Sequence, residues 1–194
     1  KATPILVITP PYRGGIAYWN LILDKGIVYG SLISYIEFGL TVKQGKCGVL
    51  LLDPKGIDTN DTPYSIFKIY DKFLSKRIKN KKIKHVIFIG ALNEGNLVSH
   101  LLDRRGKELK EVTRAAIFLC ADDPYMTKPI TAQIYQHCAV NYINSSLPLG
   151  EDETGAKPNG DKYIIPRKSA GIAYFGAISA YPAAAAKIKQ ALNV

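Results

Sequence analysis

Two glycines bracket the stretch Gly90-Ala91-Leu92-Asn93-Glu94-Gly95, which runs from an apolar segment into one with helical spacing. A turn of this kind is where a G-x-S-x-G hydrolase holds its nucleophile. Small flanking residues permit the tight elbow, and the following helix N-terminus supports an oxyanion. In the frame Ala91-Leu92-Asn93-Glu94-Gly95 the nucleophile position is taken by Asn93, and an amide cannot attack a carbonyl. The same stretch also reads as a plain strand-to-helix connection around a buried glycine. A dinucleotide fingerprint fails here for want of the second and third glycines, and a P-loop fails because no Gly-Lys-Ser/Thr follows. The other triad ingredients are sparse. Asp122 and Asp123 follow an apolar run, a reasonable place for an acid, but the histidines are His85, His100 and His137. None lies in the late stretch 169–179, where the order nucleophile, acid, histidine would put a base. No His/Cys/Asp spacing resembles a zinc or two-metal site, so no metal and no cofactor is expected.

A second constellation is cationic. Lys68, Lys72, Lys76 and Lys79 recur at i, i+4, i+8 and i+11, and Arg77, Lys81, Lys82 and Lys84 extend the patch. The whole chain carries 26 Lys+Arg against 16 Asp+Glu, a formal charge of +10. Such a face either keeps the domain soluble or tracks the phosphates of RNA or DNA. With no aromatic expected among the lysines, base stacking is unsupported and any binding would be indifferent to sequence.

These residues must be positioned by something, and the apolar runs say what. Leu6-Val7-Ile8-Thr9, Gly48 to Asp53, Val86 to Gly90 and Ala115 to Cys120 are continuous, not alternating, as strands covered on both faces require. Cys138 to Ile143 is a weaker fifth run, either strand or helix end. Between them the spacing turns helical. Ser31 can cap a helix towards Gly45, and Thr62-Pro63 opens one that sets Ile66, Tyr70, Phe73 and Leu74 on one stripe. Gly95 to Asp103 and the alanine-rich segment from Tyr181-Pro182 give two more. Strands alternating with helices imply a three-layer α/β/α fold with a mainly parallel sheet. Residues 144–168 break the pattern with three prolines, three glycines and Glu151-Asp152-Glu153, and read as a long loop.

At 194 residues the chain suits one domain, 1–194, and a start at Lys1 fits a piece excised from a longer protein. No apolar run reaches the ~20 residues of a membrane span. Cys47, Cys120 and Cys138 form no CxxC pair and lie in apolar surroundings, which favours a reducing, intracellular setting, nuclear or cytoplasmic.

Three stretches carry a family resemblance. Gly30-Ser31-Leu32-Ile33-Ser34-Tyr35-Ile36 leading into Gly48 to Pro54 resembles the Gly-Ser-x-x-x-Tyr-Ile helix and following strand of the argonaute-binding (Arb-two-type) domains. Asn141 to Leu149 resembles their Asn-Trp-x-x-Ser-x-x-Pro-Leu segment, and Ser169-Ala170-Gly171 their late Ser-Ala-Gly. The resemblance implies an α/β-hydrolase-like fold, as found in fungal argonaute complexes, at the C-termini of fungal class II histone deacetylases and in animal co-transcriptional regulators. Members often carry His-Ser-Tyr-Gly-Gly at the elbow and a histidine after Ser-Ala-Gly; this chain has Leu92-Asn93-Glu94-Gly95-Asn96 and Phe175. With nucleophile and base both replaced, the resemblance implies a pseudoenzyme, not an enzyme. It would act as a protein-interaction domain in an RNA-silencing, chromatin or RNA-processing assembly. Its vestigial pocket would be built from Tyr12, Arg13, Asn93, Glu94, Asp122, Tyr174 and Phe175. Two alternatives stand beside it: a nucleic-acid-binding domain using the lysine stripe, and a hydrolase with an unrecognised mechanism around Arg13, Glu94 and Asp122.

Overall fold

The computed structural model describes residues 2–10, 23, 26–27, 31–52, 62–92, 95–121, 126–153, 165–170 and 181–193. Each continuous apolar run becomes a strand: β1 (Thr3–Thr9), β2 (Gly48–Leu51), β3 (Ile83–Ala91), β4 (Thr113–Leu119) and β5 (Ala139–Ile143). Cys138 ends a helix and Ala139 begins β5, so the ambiguous fifth run is both helix end and strand. A short sixth strand, β6 (Arg167–Ser169), completes a sheet of order β2-β1-β3-β4-β5-β6 in which every neighbouring pair is parallel.

The helices are α1 (Ile33–Gly45), α2 (Thr62–Ile69), α3 (Lys76–Lys79), α4 (Gly95–Leu109), α5 (Pro129–Cys138) and α6 (Tyr181–Leu192). They cover both faces of the sheet because alternate residues of each strand point to opposite sides. Leu6 and Ile8, Ile87 and Ile89, and Ile117 and Leu119 pack with Tyr35 of α1 and with Ile188 and Leu192 of α6. Val7, Phe88 and Phe118 pack on the other side with Ile66, Tyr70, Leu74, Leu101 and Tyr135. The expected three-layer α/β/α architecture with a parallel sheet is observed.

Two local expectations are corrected and two elements are added. The helix from Gly95 runs on past Asp103 to Leu109. The Ser31 hydroxyl donates to the Ile27 carbonyl at 2.6 Å and accepts the Ile33 amide at 3.3 Å, while Leu32 holds the cap position of α1. Helix α5, opened by Pro129 at its first turn, has no counterpart in the sequence reading. The 144–168 segment is ordered at both described ends. Gly150 and Ser169 exchange backbone contacts with Gly150 N donating to Ser169 O at 2.8 Å, and Ser169 N donates to Glu151 O at 2.8 Å. Arg167 and Lys168 belong to β6. Polar composition concealed this strap because its pairing partners lie about twenty residues away.

Candidate functional site

In a parallel sheet all strand ends of one kind share an edge, and ligands bind beyond the carboxyl edge where the strand order reverses. Here β2 lies on one side of β1 and β3 on the other, so the reversal falls between β1 and β3. Thr9 pairs with Gly90 at the end of those strands. The segments carrying Tyr12 and Arg13, Asn93 and Glu94, Asp122, and Tyr174 and Phe175 leave the sheet after β1, β3, β4 and β6 respectively. Topology therefore starts all four from one edge. The seven residues themselves lie outside the described residues.

The turn after β3 is described on both flanks. β3 ends at Ala91 and α4 begins at Gly95. The two glycines pack directly: a Cβ on Gly90 would stand 2.7 Å from the Gly95 Cα, and a Cβ on Gly95 would stand 2.5 Å from the Ala121 Cβ. A side chain on Gly90 would push α4 off β3, and one on Gly95 would run into Ala121 and Phe118 at the end of β4, which is why glycine stands at both places. Leu92 takes the left-handed conformation, with φ 54°. That region costs a residue with a Cβ about 1–2 kcal/mol, so the turn is held by its surroundings. The strained position holds a leucine, which offers no nucleophile.

Buried polar atoms lie on several of the elements that reach this edge, with β3 and β4 between the strands of Thr9 and Asn141. Thr9 Oγ1 at the end of β1, Asn96 Oδ1 in the first turn of α4 and Asn141 Oδ1 in β5 have no hydrogen-bond partner among the described residues. Thr9 is fully buried, and Asn141 nearly so, its Nδ2 donating to the Ala121 carbonyl at 2.9 Å. Thr113 Oγ1, at the opposite edge, is a further such atom. A buried acceptor left unpaired costs about 1–3 kcal/mol.

One carboxylate sets the end of the β4–α5 connection. Asp103 of α4 accepts from Thr127 N at 3.0 Å, Lys128 N at 2.9 Å, Thr131 Oγ1 at 2.9 Å and Thr127 Oγ1 at 2.5 Å. Lys128 is the N-cap residue of α5 and supplies no capping side chain of its own. Asp103 thus caps a helix from outside it, meeting both the orphan amides and the positive end of the helix dipole. Burial works to raise its carboxyl, but the donors of Thr127, Thr131 and Lys128 outweigh it and hold it below the usual carboxylate range.

The stretches behind the family resemblance also meet. Ser169 Oγ donates to the Leu147 carbonyl at 2.7 Å, locking the start of the late loop to the 144–153 strap. The three histidines lie on β3, α4 and α5. His85 lies within β3 near its amino end, and Arg114 Nε donates to its Nδ1 at 3.0 Å. Burial first, then the Arg114 charge, lowers its pKa. His100 lies inside α4, with its pKa lowered by burial, and His137 is exposed on α5. Among the described residues no three His, Cys, Asp or Glu side chains form a metal-binding group. The described cysteines are free thiols, and burial pushes Cys138 up to about 11. No described helix is long and apolar enough to cross a membrane.

The cationic constellation is fully described and differs from its expected form. Between α2 and α3 the segment Tyr70–Ser75 is π-helical, so the buried positions become Tyr70, Leu74 and Ser75. This longer hydrogen-bond reach shifts the register, and Phe73 leaves the inner stripe to stand 40% exposed. The expectation that no aromatic interrupts the lysines is therefore overturned. Lys68, Lys72, Lys76, Arg77, Lys79, Lys81, Lys82 and Lys84 are all exposed, and part of the set lies on two adjoining flanks that share Lys76 and Asn80. On one flank Lys79 Nζ bonds Glu108 Oε1 at 3.0 Å, and Arg105 grips Asp71 through Nη2 and Nε at 2.5 and 3.2 Å. Tyr70 and Ser75 also donate to Glu108, at 2.9 and 3.1 Å. On the other, Lys72, Phe73, Lys76, Arg77, Asn80 and Lys82 line one shallow pocket.

Comparison with known proteins gives one kind of match. No family model matches the chain, and no curated protein does. A solved structure described as a histone deacetylase from Saccharomyces cerevisiae superposes with a TM-score of 0.53 at 16% identity. The match covers 98% of this chain and 78% of that one. It shows a shared α/β fold.

Proposed function

We propose that this chain is a non-catalytic α/β-hydrolase-like domain that binds a protein partner within a chromatin- or RNA-associated assembly. The observation carrying the reading is the glycine-packed elbow at the strand-order reversal, whose strained residue is Leu92 and whose next residue is Asn93. On this reading the elbow keeps the strand-to-helix frame of an active site without its attacking group. Concave sites with a few unpaired polar groups are where ligands and peptides seat, and Thr9 and Asn141 supply such groups. The likeness to a histone deacetylase chain, together with the family resemblance of the three motifs, supports a chromatin setting.

Immobilising the full chain and identifying what it retains from a nuclear extract tests the interaction. Arg13→Ala and Glu94→Ala, made separately, should each release the retained partner while leaving the melting temperature nearly unchanged. Full retention by both variants would place the interface elsewhere and contradict the proposal.

A further inference from the structure

The flank around Phe73 has a charge balance that its own fold does not need. Among the described residues its pocket is lined by Lys72, Lys76, Arg77 and Lys82 with Phe73 and Asn80, and by no carboxylate. The neighbouring acids are paired on the adjoining flank, Asp71 with Arg105 and Glu108 with Lys79, around a hollow that shares Lys76 and Asn80 with this one. Like charges this close repel, so the unfilled patch is slightly costly to the folded domain.

Backbone geometry builds the patch. The helix ends in a Schellman turn: Lys82 N donates to Arg77 O at 2.9 Å, and Lys81 N donates to Ile78 O at 2.9 Å. Lys81 takes the left-handed position with φ 54°, where glycine is usual. The turn carries Lys82 back beside Arg77, one helical turn upstream. Arg77 Nη1 is itself pinned to the Phe73 carbonyl at 2.6 Å, and the Lys72 ammonium lies 5.4 Å from the Phe73 ring centroid. The result is a partly exposed aromatic ring with the Lys72 ammonium over its face, from which a stacking base would displace it, and the other cations beside it. At about 240 Å³ the pocket is smaller than the ~300–1,000 Å³ of whole-ligand sites. It suits one unit of a polymer better than a free metabolite.

We propose that this corner binds single-stranded nucleic acid, with a base stacked on Phe73 and the flanking phosphates held by Lys72, Lys76, Arg77 and Lys82. The proposal is independent of the reading of the carboxyl edge, since none of these residues lies there. A duplex would use the cations alone, because its bases are already stacked. Phe73 is what selects a single strand.

The test is fluorescence anisotropy of the full chain with labelled 20-residue oligouridine and oligothymidine, the duplex of equal length, and phosphatidylserine vesicles as comparators. Single strands should bind more tightly than duplex. Phe73→Leu should weaken single-strand binding by about 5- to 150-fold, the range of lost base stacking. Lys72→Gln and Lys82→Gln should each flatten the plot of log affinity against log salt by about 0.7, the value for one lost phosphate contact. Uridine and thymidine strands binding alike would mean that neither the sugar nor the thymine methyl is read; a preference would mean that one of them is, and both results support the corner. Unchanged binding in Phe73→Leu, tighter binding of duplex, or binding of vesicles alone would overturn the proposal. Melting curves of the three variants confirm that the fold survives these exposed changes.

Discussion

The Cα of Gly95 occupies the place where a side chain on Gly90 would begin, 2.7 Å from the ideal Cβ position. Strand β3 and helix α4 therefore meet backbone to backbone. Because the obstructing atom belongs to the backbone, Gly90→Ala cannot be relieved by a rotamer change. It should cost about 1–3 kcal/mol, the range for overpacking, at the upper end. Gly106→Ala provides the contrast. Its Cβ would meet Ile130 Cγ2 at 2.8 Å, a side-chain atom that can move. Thermal denaturation should rank Gly90→Ala well below Gly106→Ala, each lost kcal/mol lowering Tm by about 2–4 °C.

Asp103 makes the second prediction. Asp103→Ala strands the amides of Thr127 and Lys128 at the start of α5 and should cost about 1–3 kcal/mol. The sign of the pH dependence follows from its lowered pKa. The folded carboxyl is more acidic than the unfolded one, so its contribution is complete above the ordinary carboxylate value. It fades as pH falls below about 4 and through the folded value. The stability gap between wild type and Asp103→Asn, measured by urea denaturation from pH 7 down to pH 2.5, should be constant above pH 5 and then narrow. A gap that widens with acid would contradict this account of Asp103.

Lys81 makes the third. Its left-handed backbone costs about 1–2 kcal/mol, and glycine removes that cost at the expense of extra freedom in the unfolded chain. Lys81→Gly should therefore raise stability by about 0.5–1 kcal/mol. The residues lining the Phe73 pocket keep their places, so oligouridine binding should persist in this variant.

What could be read from the sequence divides along physical lines. The buried strands announced themselves because Leu6 to Thr9, Val86 to Gly90 and Ala115 to Leu119 are apolar without interruption, which only a doubly covered strand requires. The glycine spacing placed the strand-to-helix connection between β3 and α4. The exposure of Phe73 was not legible, because the spacing of Ile66, Tyr70, Phe73 and Leu74 fits an α-helix and nothing in it announces a π-helical segment. Asp103 escaped notice because its partners, Thr127, Lys128 and Thr131, lie more than twenty residues on. Lys128-Pro129 was the available sign of a helix start there. β6 is three residues long and polar, and only its pairing with Asn141, Tyr142 and Ile143 identifies it.

The most direct measurement for the central claim, that the elbow has lost its reaction, is hydrolysis of p-nitrophenyl acetate followed with intact-mass analysis after treatment with a fluorophosphonate. The account predicts release of p-nitrophenol no faster with wild type than with Asn93→Ala, and an unmodified mass. Turnover that disappears in Asn93→Ala, or a stoichiometric phosphonate adduct, would contradict it.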